Sequence, residues 1–290
     1  MGSDDVLVDV EWSGISSGTE RLLWSGLMPE FPGMGYPLVP GYETVGRITA
    51  AGANNEERIG STVFVPGANA FKSVRSLFGG AAGRLVVPSA RAPAINEALT
   101  DRGTLFALAA TAHHIAPSNG AFLPELIVGH GVLGRLLARL TICQGGSPPT
   151  VWEVNAGRRV GDFPYPVMAP GDDARTNYSR ICDVSGSGEV LDDLIGRLAP
   201  GGEIVLAGFY SEPLAFAFAP AFMREARLRI AAQWQPSDLA AVIALVAAGR
   251  LSLEGLITNR ATAARPDIAY QQAFQDDACL KLVLDWRGLS

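Results

Sequence analysis

The stretch that decides the fold is Leu126-Ile127-Val128-Gly129-His130-Gly131-Val132-Leu133-Gly134, in which three apolar residues run into Gly-x-Gly-x-x-Gly. Leu133, Leu136, Leu137 and Leu140 then recur at i, i+3, i+4 and i+7, the spacing of one helix face. A strand, a glycine turn and a helix in this order are typical of a dinucleotide-binding unit. The stretch therefore predicts the core of an α/β domain.

Each glycine of this turn has its own role in such a unit. Gly129 permits the tight turn, Gly131 lets the backbone approach a pyrophosphate, and Gly134 lets the helix pack against the strand. The helix begins at Val132 and Leu133, where free N–H groups and the positive end of the helix dipole favour a phosphate. We therefore expect these five residues to hold the cofactor.

A second apolar strand over residues 150–154 places Glu153 about twenty residues beyond the glycine turn, where an acidic residue accepts hydrogen bonds from ribose hydroxyls. This position favours NAD as the cofactor. Arg158 and Arg159 follow closely and could instead clamp the 2′-phosphate of NADP. We expect the His130 side chain to project from the loop, either toward the cofactor or into solvent.

The composition indicates a globular protein. The chain has 290 residues, of which 48% are hydrophobic and 18% charged, and a formal charge of −6 without a basic block, which argues against a nucleic-acid partner. The three cysteines are far apart in the sequence, so reduced thiols and a cytoplasmic location are expected. Apolar runs such as residues 239–248 are too short for a transmembrane segment, and the N-terminus lacks the pattern of a signal peptide.

Two domains are predicted, the first of them discontinuous. Short strands at 6–12, 42–50, 61–65 and 83–87 indicate a β-domain over residues 1–95, which residues 251–290 complete with strands at 256–258 and 280–284 and a helix at 266–274. Residues 96–250 form the dinucleotide-binding domain, with a parallel, doubly wound sheet. The cleft between the domains is the expected ligand site. The predicted strands of the dinucleotide-binding domain are 126–128, 151–154, 166–169, 181–184 and 203–207. One predicted helix begins at Glu97 and is capped by Asn96. Another covers 190–198 and is stopped by Gly201-Gly202, and a third covers 239–248 and is capped by Ser237.

Motifs spread along the whole chain resemble the medium-chain dehydrogenase/reductase superfamily. They are Ser13-Gly14-Ile15, Pro37–Glu43, Thr111–His114, Val128–Gly134 and Gly201–Phe209. Within the superfamily, Glu11–Arg21, Phe222–Leu228 and Cys279–Arg287 are similar to the branch that oxidises a bacteriochlorophyllide in bacteriochlorophyll a synthesis, a step that serves photosynthesis.

The resemblance implies an α/β fold with a Rossmann cofactor domain and a discontinuous, partly truncated GroES-like β-domain. It implies NAD-linked oxidation of the C3 1-hydroxyethyl group of the macrocycle to acetyl, with Thr111 and Gly208 near the nicotinamide. Relatives begin with a β-hairpin ahead of the strand at Val6, so unpaired backbone is expected in this sheet. A homodimer is an expected assembly.

The resemblance also bears on metal binding. Zinc-dependent members have a cysteine where Ser16 stands and a histidine where Tyr42 stands. A catalytic zinc takes three protein ligands from cysteine, histidine or carboxylate, and of that set only Glu43 remains. The four-cysteine lobe of such relatives is missing as well, since no cysteine lies within residues 1–142. We therefore expect no metal.

Without zinc, another group must accept the proton of the substrate hydroxyl. The candidates are Tyr42, Thr19, Ser16 and Glu43. Adjacent residues on a strand point to opposite faces, so Tyr42 and Glu43 are not expected to face the substrate together. Tyr42 and Thr19 are equally favoured as the group that faces the hydroxyl. An interpretation in which Tyr42 only packs locally remains open.

Two other functions are compatible with the motifs. One is a quinone- or enoyl-type reductase of the same superfamily, which would favour NADPH; the other is a noncatalytic nucleotide-binding protein. Residues 67–80 mix apolar side chains with Lys72 and Arg75, which favours contact with a flat macrocycle that carries a carboxylate. The alternative is an ordinary surface loop.

Overall fold

The computed structural model describes residues 1–30, 32–69, 71–117, 122–231 and 233–289. The chain divides into two compact units, which are considered separately. Unit 1 comprises Met1–Ala107 and Leu253–Ser290, and unit 2 comprises Leu108–Ser252.

The strands and helices follow the sequence patterns closely in most places. In chain order the strands are β1 (Asp5–Gly14), β2 (Leu38–Val39), β3 (Thr44–Ala51), β4 (Thr62–Val65), β5 (Arg75–Ser76), β6 (Arg84–Pro88), β7 (Leu126–Val128), β8 (Thr150–Trp152), β9 (Val167–Met168), β10 (Tyr178–Asp183), β11 (Leu198–Leu206), β12 (Arg227–Ile230), β13 (Asn259–Thr262) and β14 (Leu282–Asp285). The α-helices are α1 (Thr19–Ser25), α2 (Phe106–Ile115), α3 (Val132–Cys143), α4 (Ala156–Arg159), α5 (Leu191–Arg197), α6 (Phe218–Met223), α7 (Pro236–Ala247) and α8 (Pro266–Gln275). Short 3-10 helices cover Glu56–Arg58, Ser89–Arg91, Glu97–Leu105, Pro170–Asp172 and Gly188–Val190.

Unit 1 is built on a six-stranded sheet in the order β13-β14-β1-β3-β4, with β6 also paired to β1. The strand β1 is antiparallel to β3, β6 and β14, whereas β13 and β14 are parallel. Alternate residues Val6, Val8 and Val10 of β1 are buried, as the two-residue period of a strand requires. Because β1 is paired along both edges, the unpaired backbone expected in this sheet does not fall on β1.

Unit 2 contains a fully parallel sheet in the order β12-β11-β10-β7-β8-β9. Every residue of β7 is buried, which is typical of a parallel strand covered on both faces. This sheet, with helices between its strands, confirms the predicted doubly wound fold. One apolar cluster forms around it, including Leu126, Trp152, Ile181 and Leu194.

The glycine turn lies between β7 and α3, as predicted. In α3 the side chains of Leu136, Leu137 and Leu140 are buried, and Leu133 is half-buried. The predicted leucine face therefore packs toward the core, which fixes the start of the helix at the glycine turn.

Two helix ends differ from the predictions. The helix α7 is capped by Gln235 and not by Ser237, because Gln235 and Asp238 form a reciprocal capping box and Pro236 takes the first helical position. The helix α5 ends at Arg197, ahead of Gly201-Gly202, and β11 already begins at Leu198. In the latter case the chain leaves the helix through extended backbone at Leu198 and needs no glycine stop.

The connection into α2 and the strand β13 also differ. The Asn96 side chain accepts a hydrogen bond from the Ala98 N–H at 2.9 Å, as predicted for a cap, but a 3-10 segment with a non-helical Thr100 follows before α2 begins. The late strand predicted at 256–258 begins instead at Asn259, where it pairs in register with Leu282 of β14.

The two-residue strands β2 and β5, the four-residue helix α4, the helix α6 and the strand β12 were not predicted. The last two, α6 and β12, expose apolar side chains, including Phe218, Phe222, Met223 and Ile230. Their sequences therefore carry no alternation between buried and exposed positions. Among the helices that the structure describes, none is long and apolar enough to cross a membrane.

Candidate active site and cofactor-binding turn

Three hydroxyl groups meet in unit 1 where β1 ends and α1 begins. The Tyr42 O–H donates to Ser16 Oγ at 2.7 Å, and Thr19 Oγ1 lies 3.5 Å from the Tyr42 oxygen. Ser16 is buried, whereas Tyr42 and Thr19 are half-buried. We call Ser16, Thr19 and Tyr42 the hydroxyl trio. The structure thus brings together three of the four residues that the sequence nominated for catalysis.

The fourth candidate, Glu43, has a different partner. Its side chain is fully buried and forms an ion pair with the Lys281 ammonium, which is only 2% exposed. Gly14 leaves room for this pair, because a Cβ there would lie 2.1 Å from Glu43 Oε2. Burial raises the pKa of the Glu43 carboxyl, and the Lys281 charge opposes that rise. Neither Glu43 oxygen accepts a hydrogen bond of normal geometry from the described residues.

Glu20 belongs to the same region but was missed by the sequence analysis. It is 1% exposed, its Oε1 accepts a hydrogen bond from the Ser16 N–H at 3.3 Å, and its Oε2 accepts one from the Tyr270 O–H at 2.7 Å. Burial raises the pKa of the Glu20 carboxyl to about 7, although the Tyr270 hydrogen bond lowers it. In the sequence, Glu20 looks like an ordinary acid in the first turn of a helix, and nothing local points to Tyr270.

Aromatic rings surround these polar groups. The Tyr42 and Phe78 rings meet edge to face, with their centroids 5.0 Å apart. The Trp24 ring stacks on Tyr270 at 5.6 Å and is itself 57% exposed. The segment 67–80 thus contributes Phe78 to the candidate site; within it Lys72 and Arg75 are exposed, and Ala70 lies outside the described residues.

The glycine turn of unit 2 has the backbone geometry that its motif predicts. Gly129 has a φ of +105°, which favours glycine, and a Cβ at Gly134 would lie 1.9 Å from the Gly129 carbonyl oxygen. In contrast, a Cβ at Gly131 would meet no atom within 4 Å, so the space in front of the turn is open. The first N–H groups of α3, at Val132 and Leu133, have no acceptor within the helix. These features fit an anionic group such as a pyrophosphate.

Glu153 follows β8 and is held against the glycine turn. Its Oε2 accepts a hydrogen bond from the His130 N–H at 3.0 Å, and its Oε1 accepts one from the Asn155 N–H at 2.8 Å. A carboxylate has about four lone-pair positions, so two remain for the hydroxyls of a ribose. The guanidinium of Arg159 donates to the carbonyls of Glu153 and Val154, both at 2.9 Å. This arrangement fits a ribose diol beside Glu153.

The expectation that the His130 side chain projects from the loop is wrong. His130 is fully buried, with Nδ1 2.9 Å from the Arg158 carbonyl oxygen and Nε2 3.1 Å from the Tyr165 hydroxyl. Its ring also meets Phe163 edge to face at 4.6 Å. Burial lowers the pKa of the imidazole to about 4, so the ring is neutral at physiological pH. The polar acceptors behind the turn thus draw the side chain inward.

The remaining cofactor candidates are Gly208 and Thr111. Gly208 follows β11, and a Cβ there would lie 2.6 Å from the nitrogen of Gly186, which follows β10. The turn after β11 and the turn after β10 therefore approach each other closely. Both turns lie at the carboxyl ends of the parallel strands, the edge at which such sheets bind ligands. Thr111 is half-buried on α2.

The adjacent histidines that follow Thr111 have an acidic partner. His113 and His114 contact the two oxygens of Asp238, at 2.7 and 2.9 Å. In the described ranges, no group of three or more His, Cys, Asp or Glu side chains is arranged to hold a metal ion.

The Glu43–Lys281 pair yields a prediction about stability. Lys281→Met should lower the free energy of unfolding by about 3–5 kcal/mol near neutral pH, because Glu43 stays buried without its counter-charge. Burial raises the pKa of Glu43 in the folded state, so folding favours the protonated form. The loss should therefore be smallest below about pH 4 and should grow as the pH rises through the raised pKa.

Denaturant unfolding across this pH range measures the effect. The double variant Glu43→Gln/Lys281→Met should recover part of the lost stability, since it removes the uncompensated charge. A single variant as stable as the unaltered protein at neutral pH would contradict the role of the ion pair.

Comparisons with known proteins agree with the fold described above. The family model of the alcohol dehydrogenase GroES-like domain matches residues 2–96. Among solved structures, a short chain alcohol dehydrogenase from E. coli CFT073 with NADH has a TM-score of 0.80 at 20% identity, covering 98% of this chain and 92% of that one. A putative zinc-binding dehydrogenase from Sinorhizobium meliloti bound to NADP also has a TM-score of 0.80 at 20% identity, covering 98% and 93%. At this identity the likeness shows the fold alone.

Curated relatives are much more similar in sequence. The 2-desacetyl-2-hydroxyethyl bacteriochlorophyllide A dehydrogenase of Rhodobacter capsulatus is 55% identical over 287 residues, which is 99% of this chain and 91% of the relative. The protein of the same name from Cereibacter sphaeroides is 54% identical over 289 residues, 98% of this chain and 91% of the relative. These similarities confirm the resemblance found in the sequence, and the chain belongs to the 2-desacetyl-2-hydroxyethyl bacteriochlorophyllide A dehydrogenase family within the medium-chain dehydrogenases/reductases.

Proposed function

We propose that this chain oxidises the C3 1-hydroxyethyl group of a bacteriochlorophyllide to an acetyl group in bacteriochlorophyll a synthesis, with NAD as the oxidant. The observation that carries the proposal is the 55% identity, over nearly the whole chain, to a relative named for this reaction. An alcohol oxidation needs a group that accepts the hydroxyl proton and a site for the cofactor. The two regions described above supply candidates for each.

We assign proton acceptance to the hydroxyl trio. The Tyr42 O–H already donates to Ser16 Oγ, so the Tyr42 oxygen can take the substrate's proton as its own proton passes to Ser16 Oγ and one proton leaves the trio to water. Thr19 is the second hydroxyl that can face and orient the substrate. Glu43 is sealed against Lys281 and has no exposed surface, so in this proposal it acts on the Tyr42 oxygen through its charge and does not touch the substrate.

The cofactor residues in this proposal are those of the glycine turn. The N–H groups of Val132 and Leu133 bind the pyrophosphate, with Gly129, Gly131 and Gly134 allowing the close approach. Glu153 accepts hydrogen bonds from the ribose. Thr111 and Gly208 contact the nicotinamide end. When bound, the dinucleotide supplies the hydride acceptor.

The reaction can be tested directly. Incubating the protein with 3-hydroxyethyl bacteriochlorophyllide a and NAD should yield the 3-acetyl pigment and NADH in equal amounts, measured by absorption and chromatography. Tyr42→Phe or Thr19→Val should lower kcat by about 100-fold or more for whichever residue accepts the proton. A 3-vinyl or ring-reduced product, or full turnover in both variants, would refute the mechanism. Ring reduction with NADPH would favour a reductase instead.

Cofactor choice is a separate prediction. A carboxylate at the ribose hydroxyls repels a 2′-phosphate, so the protein should bind NADH more tightly than NADPH. Glu153→Gln should narrow that preference by about 1–3 kcal/mol, the scale of a lost charged hydrogen bond. Calorimetric titration of both cofactors measures it. Glu125→Gln, at a surface carboxylate that pairs with Arg175, is the matched control; tighter binding of NADPH by the unaltered protein would overturn the proposal.

We further propose that the reaction needs no zinc. The hydroxyls of Ser16 and Tyr42 bond to each other, and a neutral hydroxyl is a poor zinc ligand. Turnover should therefore persist after prolonged chelation, and elemental analysis should find far less than one zinc per chain. One tightly held zinc per chain, with activity lost on its removal, would contradict the proposal.

A homodimer is the assembly that we propose. The edge strand β12 exposes Ile230, and the preceding helix exposes Phe222 and Met223, so a second copy could add a strand there. Light scattering should give twice the chain mass, and Ile230→Lys should shift it toward the monomer. Ile59→Lys, also at an exposed isoleucine, should leave the dimer intact; a monomer before any substitution would refute the proposal.

We also propose a cytoplasmic location. Its support is that Cys143 and Cys182 are free thiols, as expected in a reducing compartment. Recovery of the chain from a different cell fraction would contradict it.

A further inference from the structure

Two buried carboxyl groups share one buried ammonium in unit 1. Glu43 and Lys281 form an ion pair, whereas Glu20 makes no ion pair with any residue that the structure describes. Like charges disfavour each other in a desolvated site, so the cluster is expected to retain a proton on one carboxyl. Because Lys281 contacts Glu43 directly, Glu20 is the carboxyl expected to retain that proton.

Glu20 also determines the conformation of the hydroxyl trio. Its own N–H donates to the Ser16 carbonyl at 3.0 Å, and its side chain accepts the Ser16 N–H. Two hydrogen bonds between Ser16 and Glu20 therefore close this turn. Ser16 in turn accepts the Tyr42 O–H, so a change at Glu20 reaches the proposed proton acceptor through one residue.

The two protonation states of Glu20 do not fit this arrangement equally well. As a carboxylate, Glu20 accepts from the Ser16 N–H and from the Tyr270 O–H with separate oxygens. As a neutral acid it must donate from one oxygen, so one of these two bonds must rearrange. The surroundings of Glu20 include Tyr270 on α8, Glu43 ahead of β3, Lys281 ahead of β14, and Tyr42.

The charge of Glu20 acts on the same oxygen. Loss of solvent contact first, and then the charges of Glu43 and Glu20, raise the pKa of the Tyr42 phenol. A negative Glu20 therefore increases the affinity of the Tyr42 oxygen for a proton. Protonating Glu20 removes that charge and also weakens the hydrogen bond that Glu20 accepts from the Ser16 N–H, because a neutral acid is a weaker acceptor than a carboxylate.

We propose that Glu20, held by Tyr270, is a positioning residue whose ionised form is needed for proton removal at Tyr42, so that protonation of Glu20 switches the oxidation off. No new reactant is required. The substrate gives its hydride to the dinucleotide and its hydroxyl proton to the Tyr42 oxygen, while Tyr42 passes its own proton to Ser16 Oγ and one proton leaves the half-buried trio to water. This inference rests on the proposed function and adds regulation by pH at the same site.

The pH dependence of turnover tests the proposal. In the unaltered protein, kcat/KM should rise with pH through about 7, the raised pKa of Glu20. In Glu20→Gln this rise should vanish, and the plateau should fall by about tenfold or more, while NAD affinity is unchanged. The hydrogen bond from Tyr270 stabilises the carboxylate of Glu20. In Tyr270→Phe this bond is lost, so the rise should move to higher pH by about one to two units.

The outcomes separate a control role from a merely structural one. Glu57→Gln, at an exposed carboxyl of a 3-10 helix, should leave the pH profile unchanged. If the rise with pH persists in Glu20→Gln, or stays in place in Tyr270→Phe, the proposal is wrong. Tyr270→Phe removes one oxygen only, so it keeps the test decisive if Glu20→Gln folds poorly.

A second readout does not depend on the reaction. Infrared difference spectra of the protein alone should show a buried carboxyl that loses its proton near pH 7, present in Glu57→Gln and absent in Glu20→Gln. If this titration is present but no hydroxyethyl pigment is oxidised at any pH, the proposed function fails and the assignment of the titrating group stands. If the pigment is oxidised but no such carboxyl titrates, the inference about Glu20 fails alone.

Discussion

The ion pair between Glu43 and Lys281 is the constraint on which the first unit depends. It lies where β1 ends and where β3 and β14 begin, and Gly14 supplies the space for it. A buried charge cannot give up its partner without a large cost, so the three strands are locked to one another at this point. Among the described residues beside the hydroxyl trio, Lys281 provides the only ammonium that contacts a buried carboxyl. Fold and electrostatics of the candidate site therefore depend on a single contact.

Ser16 and Tyr42 bond to each other through their hydroxyls, and the zinc-free reaction that we propose changes what the surrounding charges do. A metal ion would stabilise an alkoxide directly through its own charge. With Ser16 and Tyr42 bonded to each other, burial first and then the nearby carboxyls raise the pKa of the Tyr42 phenol. On the cofactor side, Glu153 is fixed by two backbone N–H groups, one from the glycine turn itself. The turn and the acidic residue thus form one preorganised surface.

The fold could be predicted well wherever apolar residues recur at the spacing of a helix face or form the short apolar run of a buried strand. The glycine turn, α3 and the parallel strands follow from local patterns of apolar residues, and the structure confirms them. Prediction failed where that pattern is missing: β12 and α6 expose their apolar side chains, so no period marks them. The start of α7 was misplaced because Gln235, an uncommon cap, is made effective by its reciprocal bond with Asp238.

The candidate site could be predicted only in part, for a related reason. Ser16, Thr19 and Tyr42 stand in motifs, and the structure brings them together, although their roles remain proposals. Glu20 and Lys281 also stand in motifs, at Glu11–Arg21 and Cys279–Arg287, but neither these residues nor Tyr270 could be assigned to the site, because the partner of each is distant in the sequence. A charged residue is usually exposed, so a sequence gives no reason to place these inside the protein.

The order of the chain gives the ion pair a consequence for protein synthesis. Unit 1 is made of two segments, and all of unit 2 lies between them in the sequence. A nascent chain emerges from its N-terminus, so Glu43 leaves the ribosome long before Lys281 and β14 exist. Unit 2 is continuous and has its full set of strands by then. Until Lys281 and β14 are translated, the first segment lacks the partner of Glu43 and the strand that pairs with Trp12, Ser13 and Gly14 of β1.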